Sequence, residues 1–171
     1  RRGTVIALQP QTGAILAMVS QPAFDPNRFN SRLSQDEWNS LSRDPDYPLQ
    51  NRAIQSSFSP GSIFKLVMAL AGLEKGVVDV ESSVYCSGQI SLYGHSFRCW
   101  NKNGHGRVTL HESLRQSCNI YFYLLGQKLG IDYISEFSAR FGLGERTGID
   151  LVAIVGTAGI HRFDRAFHNR P

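Results

Sequence analysis

The sequence has no run of charge of one sign, no long apolar segment and no phosphate-binding loop. Its 18 Lys and Arg and 14 Asp and Glu are scattered, whereas nucleic-acid-binding segments gather basic side chains into runs or stripes. A membrane-spanning helix needs roughly 20 apolar residues, and the best run, 66–73, lies between Lys65 and Glu74. These absences argue against nucleic-acid binding, a membrane span in this chain and nucleotide chemistry.

Cysteine is also scarce. The three cysteines are too few for a disulfide scaffold. Hydrophobic residues make up 42% of the 171-residue chain and charged residues 19%, which is the composition of an ordered globular protein. The length fits one domain or a large piece of one.

The first third of the chain predicts a hairpin, a short helix and loops. Two β-prone runs, 4–8 and 14–20, flank the turn-forming letters QPQTG and predict a β-hairpin. Ser34 and Glu37 form a capping box that predicts a helix over 34–42. The rest of 22–59 is polar and rich in turn residues, and FDPNRF within it predicts a structured turn rather than a carboxylate dyad.

Three helices are predicted further along. An apolar run predicts a helix over 62–75 that is covered on most sides in a complete fold and ends at Gly76. A second helix over 109–129 is interrupted at 117–119, and a third over 131–141 turns Phe137 and Phe141 inward. A Gly- and aromatic-rich stretch, 84–106, separates the first of these helices from the second.

Ser62 and Lys65 stand three positions apart at the start of the predicted helix, after a Pro-Gly break. Residues i and i+3 share a helix face, so we expect the two side chains to touch. A serine hydroxyl becomes a nucleophile when a base takes its proton, and a desolvated lysine at a helix N-terminus can be that base. Taken alone, the same residues also fit a capping serine beside a solvated lysine.

A second element makes the catalytic interpretation specific. Ser117 follows Ser62 by 55 residues and begins the sequence Ser117-Cys118-Asn119, where the second predicted helix breaks. Ser-x-x-Lys followed by a Ser-x-Asn element is typical of serine penicillin-binding enzymes. Four segments carry the likeness: GTVIALQPQTGAILAMVSQPAFDPN, NRAIQSSFSPGSIFKLVMALAGLEKG, CWNKNGHGRVTLHESLRQSCNIYFYLLGQKLG and FGLGERTGIDL. Over residues 3–151 the chain resembles the transpeptidase domain of class B penicillin-binding proteins, of the elongation-type PBP2 branch.

The resemblance implies a fold, an activity and four catalytic residues. The fold is α+β, the β-lactamase/transpeptidase-like fold of serine penicillin-binding proteins. The implied activity is D,D-transpeptidation of peptidoglycan, in which Ser62 is acylated by a D-Ala–D-Ala stem peptide or a β-lactam. Lys65 is then the general base, Ser117 relays a proton to the leaving amine, and Asn119 holds the substrate amide while touching Lys65.

The family's third motif, Lys-Thr-Gly or Lys-Ser-Gly, is absent from the 171 residues. Arg146 precedes Thr-Gly, but this belongs to the family's TGID segment. After Leu151 no family segment is found, which predicts a partial transpeptidase domain, 1–151, and a non-family tail, 152–171. We therefore expect the chain to form the first hairpin of the central antiparallel sheet and the helical subdomain. The later strands of the sheet are expected to be absent. We expect exposed hairpin edges, a partly uncovered helix over 62–75, marginal stability, and impaired or no transpeptidation.

Four residues within 86–105 have the chemistry of a structural zinc site. Cys86, His95, Cys99 and His105 supply sulfur and nitrogen ligands. A Cys86–Cys99 disulfide and unpaired thiols are the alternatives. Cys118 is expected to point into helix packing rather than to act as a nucleophile. No other cofactor is predicted.

The resemblance also predicts partners and location. Stem peptides and β-lactams are the expected ligands, and proteins of the wall-elongation complex the expected partners. The location is the bacterial periplasm, with an upstream membrane anchor left out of a sequence that begins RRGTVIAL. Two rival functions remain: a β-lactam sensor or hydrolase of the same fold, and a non-catalytic fragment that binds a partner.

Overall fold

The computed structural model describes residues 1–149, which form two compact units. The first unit contains residues 1–58 with 146–149, and the second contains residues 59–145. The predicted tail, 152–171, lies outside the described residues, so the boundary at Leu151 stays a prediction.

The first unit begins with the predicted hairpin. Strand β1 (Gly3–Leu8) pairs antiparallel with β2 (Ile15–Gln21), with a register shift between Ala7 and Leu8. Gln9 donates its N–H to the Ala14 carbonyl at 2.9 Å and closes the turn. The prediction of a hairpin is confirmed.

Apolar side chains on both faces of this hairpin are exposed within the described part of the chain. Val5 and Leu16 are each 66% exposed. Successive residues of a strand point to opposite faces. The face that carries Met18 and Ser20 is partly covered by residues 50–52, whereas the face that carries Val5 stays exposed. A hairpin of this kind is marginally stable alone.

The loop after the hairpin contains more helix than the sequence indicated. Helix α1 (Gln35–Ser42) begins with the predicted capping box, and Asp25 caps a 3-10 turn at Pro26–Phe29, as the predicted structured turn requires. Helix α2 (Arg52–Gln55) was not predicted, because four residues are too few to show a helical period. Its Arg52 is 5% exposed, and the guanidinium donates to the backbone carbonyls of Tyr47 and Asp46.

The second unit contains the remaining helices. A 3-10 turn at Gly61–Ile63 leads into α3 (Phe64–Glu74). The predicted interruption of the second helix is confirmed, because the chain forms α4 (Leu110–Arg115) and α5 (Asn119–Leu129) on either side of it. Helix α6 (Ile131–Ala139) follows directly. In the part of the chain that the structure describes, no helix is both long and apolar enough to cross a bilayer.

The core of this unit lies between α3, α5 and α6. Its most buried large side chains include Tyr121, Ile120 and Leu125, each 1% exposed. Phe137 is buried at 4% exposure, as predicted, but Phe141 is 51% exposed and its predicted inward orientation is wrong. The reason is that α6 ends at Ala139, so the helical period no longer sets the direction of Phe141.

One side of α3 is uncovered by the described residues. Leu66 is 58% exposed and Leu70 48%, whereas Met68, Ala69 and Ala71 face the core. The uncovered side of this apolar helix agrees with the expectation from the sequence.

Four short strands occupy the stretch between α3 and α4, where the sequence indicated only Gly- and aromatic-rich chain. Strand β3 (Ser83–Cys86) pairs antiparallel with β6 (Gly106–Thr109), and β4 (Gln89–Leu92) pairs with β5 (His95–Arg98). The strands form two nested hairpins. Each strand has four residues, too few for a clear alternating pattern.

Two glycines allow the backbones between these hairpins to approach closely. A Cβ added to Gly88 would lie 2.2 Å from the Lys102 carbonyl oxygen, and one added to Gly104 would lie 2.2 Å from the Cys86 carbonyl oxygen. Cys99 donates its N–H to the Gly88 carbonyl at 2.8 Å, and His105 donates to the Cys86 carbonyl at 3.1 Å. The turn after Cys86 and the loop after Cys99 are therefore held against each other.

We predict that Gly88→Ala destabilises the chain far more than Gly94→Ala. Both glycines have positive φ, +94° and +75°, but a Cβ at Gly94 would meet no atom within 4 Å. The control should lose about 1 kcal/mol in free energy of unfolding from backbone strain alone. The Gly88 variant should lose at least about 2 kcal/mol more, because backbone atoms must move. Denaturant unfolding measures both losses, and equal losses would contradict the close approach.

Candidate active site

The turn before α3 presents Ser62. Gly61 has φ +57°, a left-handed conformation that glycine adopts without strain, and Ser62 sits in the middle of the following 3-10 turn. Lys65 is the second residue of α3. The Pro-Gly break thus turns the chain sharply and places the serine one turn before the lysine.

The break between α4 and α5 presents Ser117 and Asn119. Ser117 has φ +52°, which is uncommon for a residue with a side chain. Its N–H donates to the Leu114 carbonyl at 3.1 Å, and the Cys118 N–H donates to the Ser113 carbonyl at 2.9 Å. Nothing in the sequence indicated the left-handed conformation of Ser117.

Hydrogen bonds join the two turns into one site. The Lys65 Nζ donates to the Ser117 carbonyl at 2.8 Å, to the Ser117 Oγ at 2.9 Å and to the Asn119 Oδ1 at 2.8 Å. The Ser117 hydroxyl in turn donates to the Ser62 Oγ at 2.9 Å. All four residues predicted to be catalytic are therefore together.

The Ser117 hydroxyl adds a bridge to the expected contact between Ser62 and Lys65. Among the hydrogen bonds of residues 1–149, none joins Lys65 to Ser62, and the Ser117 hydroxyl bridges the two instead. Residues three apart lie on one face of a 3-10 turn or an α-helix, so Ser62 and Lys65 remain neighbours across the junction of the two elements, with the Ser117 hydroxyl between them.

The surroundings of Lys65 favour its neutral amine. Burial is the largest influence and lowers the pKa of Lys65 from its ordinary value of 10.5, while Cys118 and Cys99 act in the opposite direction. The Phe122 ring lies 5.5 Å from the Nζ and covers one side of it. A lysine with a lowered pKa is neutral at a lower pH than a solvated lysine, which is the direction that a general base requires.

Asn119 is held on its other side by the backbone of β5. Its Nδ2 donates to the Arg98 carbonyl at 3.4 Å, while its Oδ1 accepts from Lys65. The carboxamide is therefore oriented by contacts at both of its polar atoms. Nothing in the sequence indicated that Arg98 borders the site, because this contact joins segments 21 residues apart.

A cluster of four side chains of the kind that ligate metals lies beside the four catalytic candidates. Cys86, Cys99, His105 and Cys118 bring their ligand atoms within 4.8 Å of one another. The Nδ1 of His105 is 3.5 Å from the sulfurs of both Cys86 and Cys99. The three cysteines are buried, at 4% exposure or less.

The cluster corrects the predicted zinc candidates in one member. His95 begins β5, opposite Leu92, and is exposed and outside the cluster. Cys118 stands in its place. The sequence suggested His95 because it is near Cys99 along the chain, but strand pairing carries its side chain away. The alternative of a Cys86–Cys99 disulfide does not describe this structure, in which the cysteines are free.

Cys118 is fully buried, as predicted. Burial is the largest influence on its thiol and raises the pKa of Cys118 to about 12. A thiol with so high a pKa is a poor nucleophile at neutral pH. Its membership of the cluster was missed, because Cys118 lies 13 residues beyond His105 on a different element.

Comparison with known proteins places this geometry in a family. The family model described as "Penicillin binding protein transpeptidase domain" matches residues 3–156. The peptidoglycan D,D-transpeptidase MrdA of Acinetobacter baumannii is 42% identical over 153 residues, which are 88% of this chain and 23% of the relative. The protein of the same name from Escherichia coli is 39% identical over 152 residues, 88% of this chain and 24% of the relative. The chain thus spans about a quarter of the length of these curated relatives.

Solved structures show the same fold. PBP2 of Pseudomonas aeruginosa, in complex with WCK 5153, is 40% identical with a TM-score of 0.89, and the match covers 99% of this chain and 39% of that one. PBP2 of Helicobacter pylori, in a complex with MreC, is 31% identical with a TM-score of 0.86, covering 95% of this chain and 32% of that one. The α+β transpeptidase fold is confirmed for this chain.

We predict that the contribution of Lys65 to stability becomes more favourable as pH rises towards 10.5. Because its folded-state pKa is lowered, the unfolded state binds more protons between the two pKa values, and the free energy of unfolding increases with pH. Comparing the chain with a Lys65→Met variant by denaturant unfolding at several pH values isolates this contribution. A difference that stays constant or falls with pH would contradict a desolvated amine.

Proposed function

Because the chain belongs to the family of penicillin-binding protein transpeptidase domains, we propose that it is part of a serine D,D-transpeptidase that cross-links peptidoglycan. The acyl-enzyme forms on Ser62. The observation that carries this proposal is the Ser117 hydroxyl, which lies 2.9 Å from both the Ser62 Oγ and the Lys65 Nζ.

The geometry supports a proton path through Ser117. When Lys65 is a neutral amine it has two N–H groups and one lone pair, so the contacts of the Ser117 hydroxyl reverse: Ser62 donates to Ser117 Oγ, and Ser117 donates to Lys65 Nζ. Ser62 Oγ attacks the carbonyl carbon of the peptide bond between the two terminal D-Ala residues, and its proton passes through the Ser117 hydroxyl to the neutral Lys65 amine. The tetrahedral intermediate then breaks its C–N bond. Lys65 returns the proton through Ser117 to the leaving D-Ala amine, which leaves an ester on Ser62.

The second half of the reaction uses the same groups. The amino group of a neighbouring stem attacks the ester carbonyl and gives up a proton to Lys65. Ser62 recovers its proton as the C–O bond breaks, and the new amide is the cross-link. With a β-lactam, the ring C–N bond breaks and the leaving nitrogen stays tethered to the acyl group.

Asn119 has two tasks in this proposal. Its Oδ1 accepts from Lys65 at 2.8 Å and fixes the position of the amine. Its Nδ2 bond to the Arg98 carbonyl is long, at 3.4 Å, so the amide N–H can turn to a substrate carbonyl with little loss. Orientation by Asn119 thus serves both the base and the substrate.

The partners and location follow from the same family. We propose that the whole protein binds stem peptides and β-lactams, acts in the periplasm with an anchor in the inner membrane, and works with proteins of the wall-elongation complex. The solved complex of a PBP2 with MreC supports the last point. A sensor or hydrolase of the same fold, and a non-catalytic partner-binding chain, are the rival proposals.

We predict that a fluorescent penicillin labels the purified chain only slowly, as expected for impaired acylation, and that Ser62→Ala and Lys65→Met abolish the labelling. Ser91→Ala is the matched control, because Ser91 lies exposed on β4. Gel fluorescence over time measures the rate, and the persistence of the label separates a transpeptidase or sensor from a hydrolase, which would release it.

Labelling that survives Ser62→Ala would exclude the proposed nucleophile, and a wild-type chain without label would favour the non-catalytic alternative. The labelling rate of the unaltered chain also tests the prediction that transpeptidation by these 171 residues is impaired.

A structural zinc ion is the second part of the proposal. In a tetrahedral zinc site the Zn–S distance is about 2.3 Å and the Zn–N distance about 2.0 Å, so a sulfur and a nitrogen ligand lie about 3.5 Å apart. The distances from His105 Nδ1 to the two sulfurs are both 3.5 Å. Cys86, Cys99, His105 and Cys118 would hold the ion and tie two hairpins to the start of α5.

We predict about one zinc ion per chain, measured by elemental analysis of protein purified without a metal-chelating tag. Cys86→Ser should lose the ion, and His95→Ala should keep it, because His95 lies outside the cluster. Cobalt substitution of the unaltered chain gives an independent test, since thiolate ligands produce a charge-transfer band. Absence of both zinc and the cobalt band would leave the cluster as buried thiols.

A further inference from the structure

The segment 98–100 runs alongside the turn that carries Ser117 and Asn119. The Arg98 carbonyl accepts from the Asn119 Nδ2 at 3.4 Å. Cys99 shares the four-residue cluster with Cys118. The Trp100 Nε1 donates to the Gln116 carbonyl at 2.9 Å. Three consecutive residues of one segment thus contact three residues of the other.

The contact from Trp100 acts on the peptide unit that precedes Ser117. That unit contains the Gln116 carbonyl and the Ser117 N–H. The carbonyl accepts from the Trp100 indole at 2.9 Å, and the N–H donates to the Leu114 carbonyl at 3.1 Å. Both polar groups of one peptide plane are therefore held, and the orientation of this plane sets φ of Ser117.

The left-handed φ of Ser117 is what makes the proton path possible. At φ +52° the Ser117 hydroxyl lies between Ser62 and Lys65, while the Ser117 carbonyl accepts from the same Lys65 amine at 2.8 Å. A residue with a side chain occupies this region of φ only when its surroundings hold it there. The bond from Trp100 is one of those restraints, and it comes from outside the turn.

We propose that Trp100 is a positioning residue for the proton relay, acting through the Gln116 carbonyl rather than on the substrate. This proposal rests on the proposed function for its effect on acylation. Its structural part does not depend on that function, because it concerns the peptide plane between Gln116 and Ser117.

Trp100 is suited to a clean substitution. The side chain is 63% exposed, so little packing depends on it. Its ring meets the His105 ring edge to face, with centroids 5.2 Å apart. Trp100→Phe keeps an aromatic ring in this position and removes the N–H donor. Tyr85→Phe is the matched control, since Tyr85 is 69% exposed on β3 and lies outside the site.

The first measurement is amide hydrogen exchange by NMR. In Trp100→Phe the Ser117 amide should exchange about tenfold faster, because the peptide plane has lost one of its two hydrogen bonds. The amide of Val108, in the buried strand β6, should exchange at the unchanged rate. Unchanged exchange at Ser117 would overturn the proposal whatever the activity of the chain.

The second measurement separates the steps of acylation. Labelling rates at several concentrations of the fluorescent penicillin give the dissociation constant of the first complex and the acylation rate constant. In Trp100→Phe the rate constant should fall about tenfold while the dissociation constant changes less than about twofold, because misplacing a relay group slows the chemical step. Tyr85→Phe should change neither, and zinc content should be equal in all three proteins.

The two measurements have distinct outcomes. Faster exchange at Ser117 together with slower acylation supports the proposal. Faster exchange with unchanged acylation overturns the positioning role. If the unaltered chain is not labelled at all, the non-catalytic alternative is favoured, and the exchange measurement still decides whether Trp100 holds the peptide plane.

Discussion

The site depends on one half-buried amine that donates three hydrogen bonds to a neighbouring turn. Lys65 reaches the carbonyl and hydroxyl of Ser117 and the carboxamide of Asn119, each within 2.9 Å. Burial disfavours the ammonium form, while these acceptors fix where the amine sits. The same contacts join α3 to the start of α5. These three hydrogen bonds therefore serve both the candidate site and the contact between the two helices. The Ser117 hydroxyl, which accepts from the amine and lies 2.9 Å from the Ser62 Oγ, links Lys65 to Ser62 without a further group.

The turn that receives these bonds is held from outside itself. A side-chain-bearing residue with positive φ is strained, and such strain persists where the surroundings restrain it. Here the restraint comes from the segment around Cys99 and Trp100, whose own position depends on the close approach of Gly88 and Gly104 to neighbouring backbone. The two nested hairpins therefore have a structural role beyond connecting α3 to α4. They contact the Ser117 turn on one side, and the four Cys and His side chains of the cluster lie where the hairpins meet this turn.

The two units differ in how well their described residues cover apolar surface. The second unit buries a continuous core around Tyr121 and Leu125, whereas the hairpin of the first leaves Val5 and Leu16 exposed. Apolar strands normally bury at least one face. The described residues thus include a helical core that supports the four catalytic candidates, and a hairpin that the rest of its described unit covers only in part, on one face.

The sequence alone determined the hairpin, the long helices, the break at Ser117 and the identity of the four catalytic candidates, because each depends on local signals: turn residues, capping boxes, helical periodicity and the spacing of short motifs. It did not determine which hydrogen bonds join these four residues. The bridge through Ser117, the replacement of His95 by Cys118 in the cluster, and the exposure of Phe141 are decided by contacts between segments far apart in the chain. A four-residue strand carries too little pattern to be recognised, and a left-handed serine has no sequence signal at all. Tertiary structure decides these features, since only packing brings the two segments together and holds a strained conformation in place.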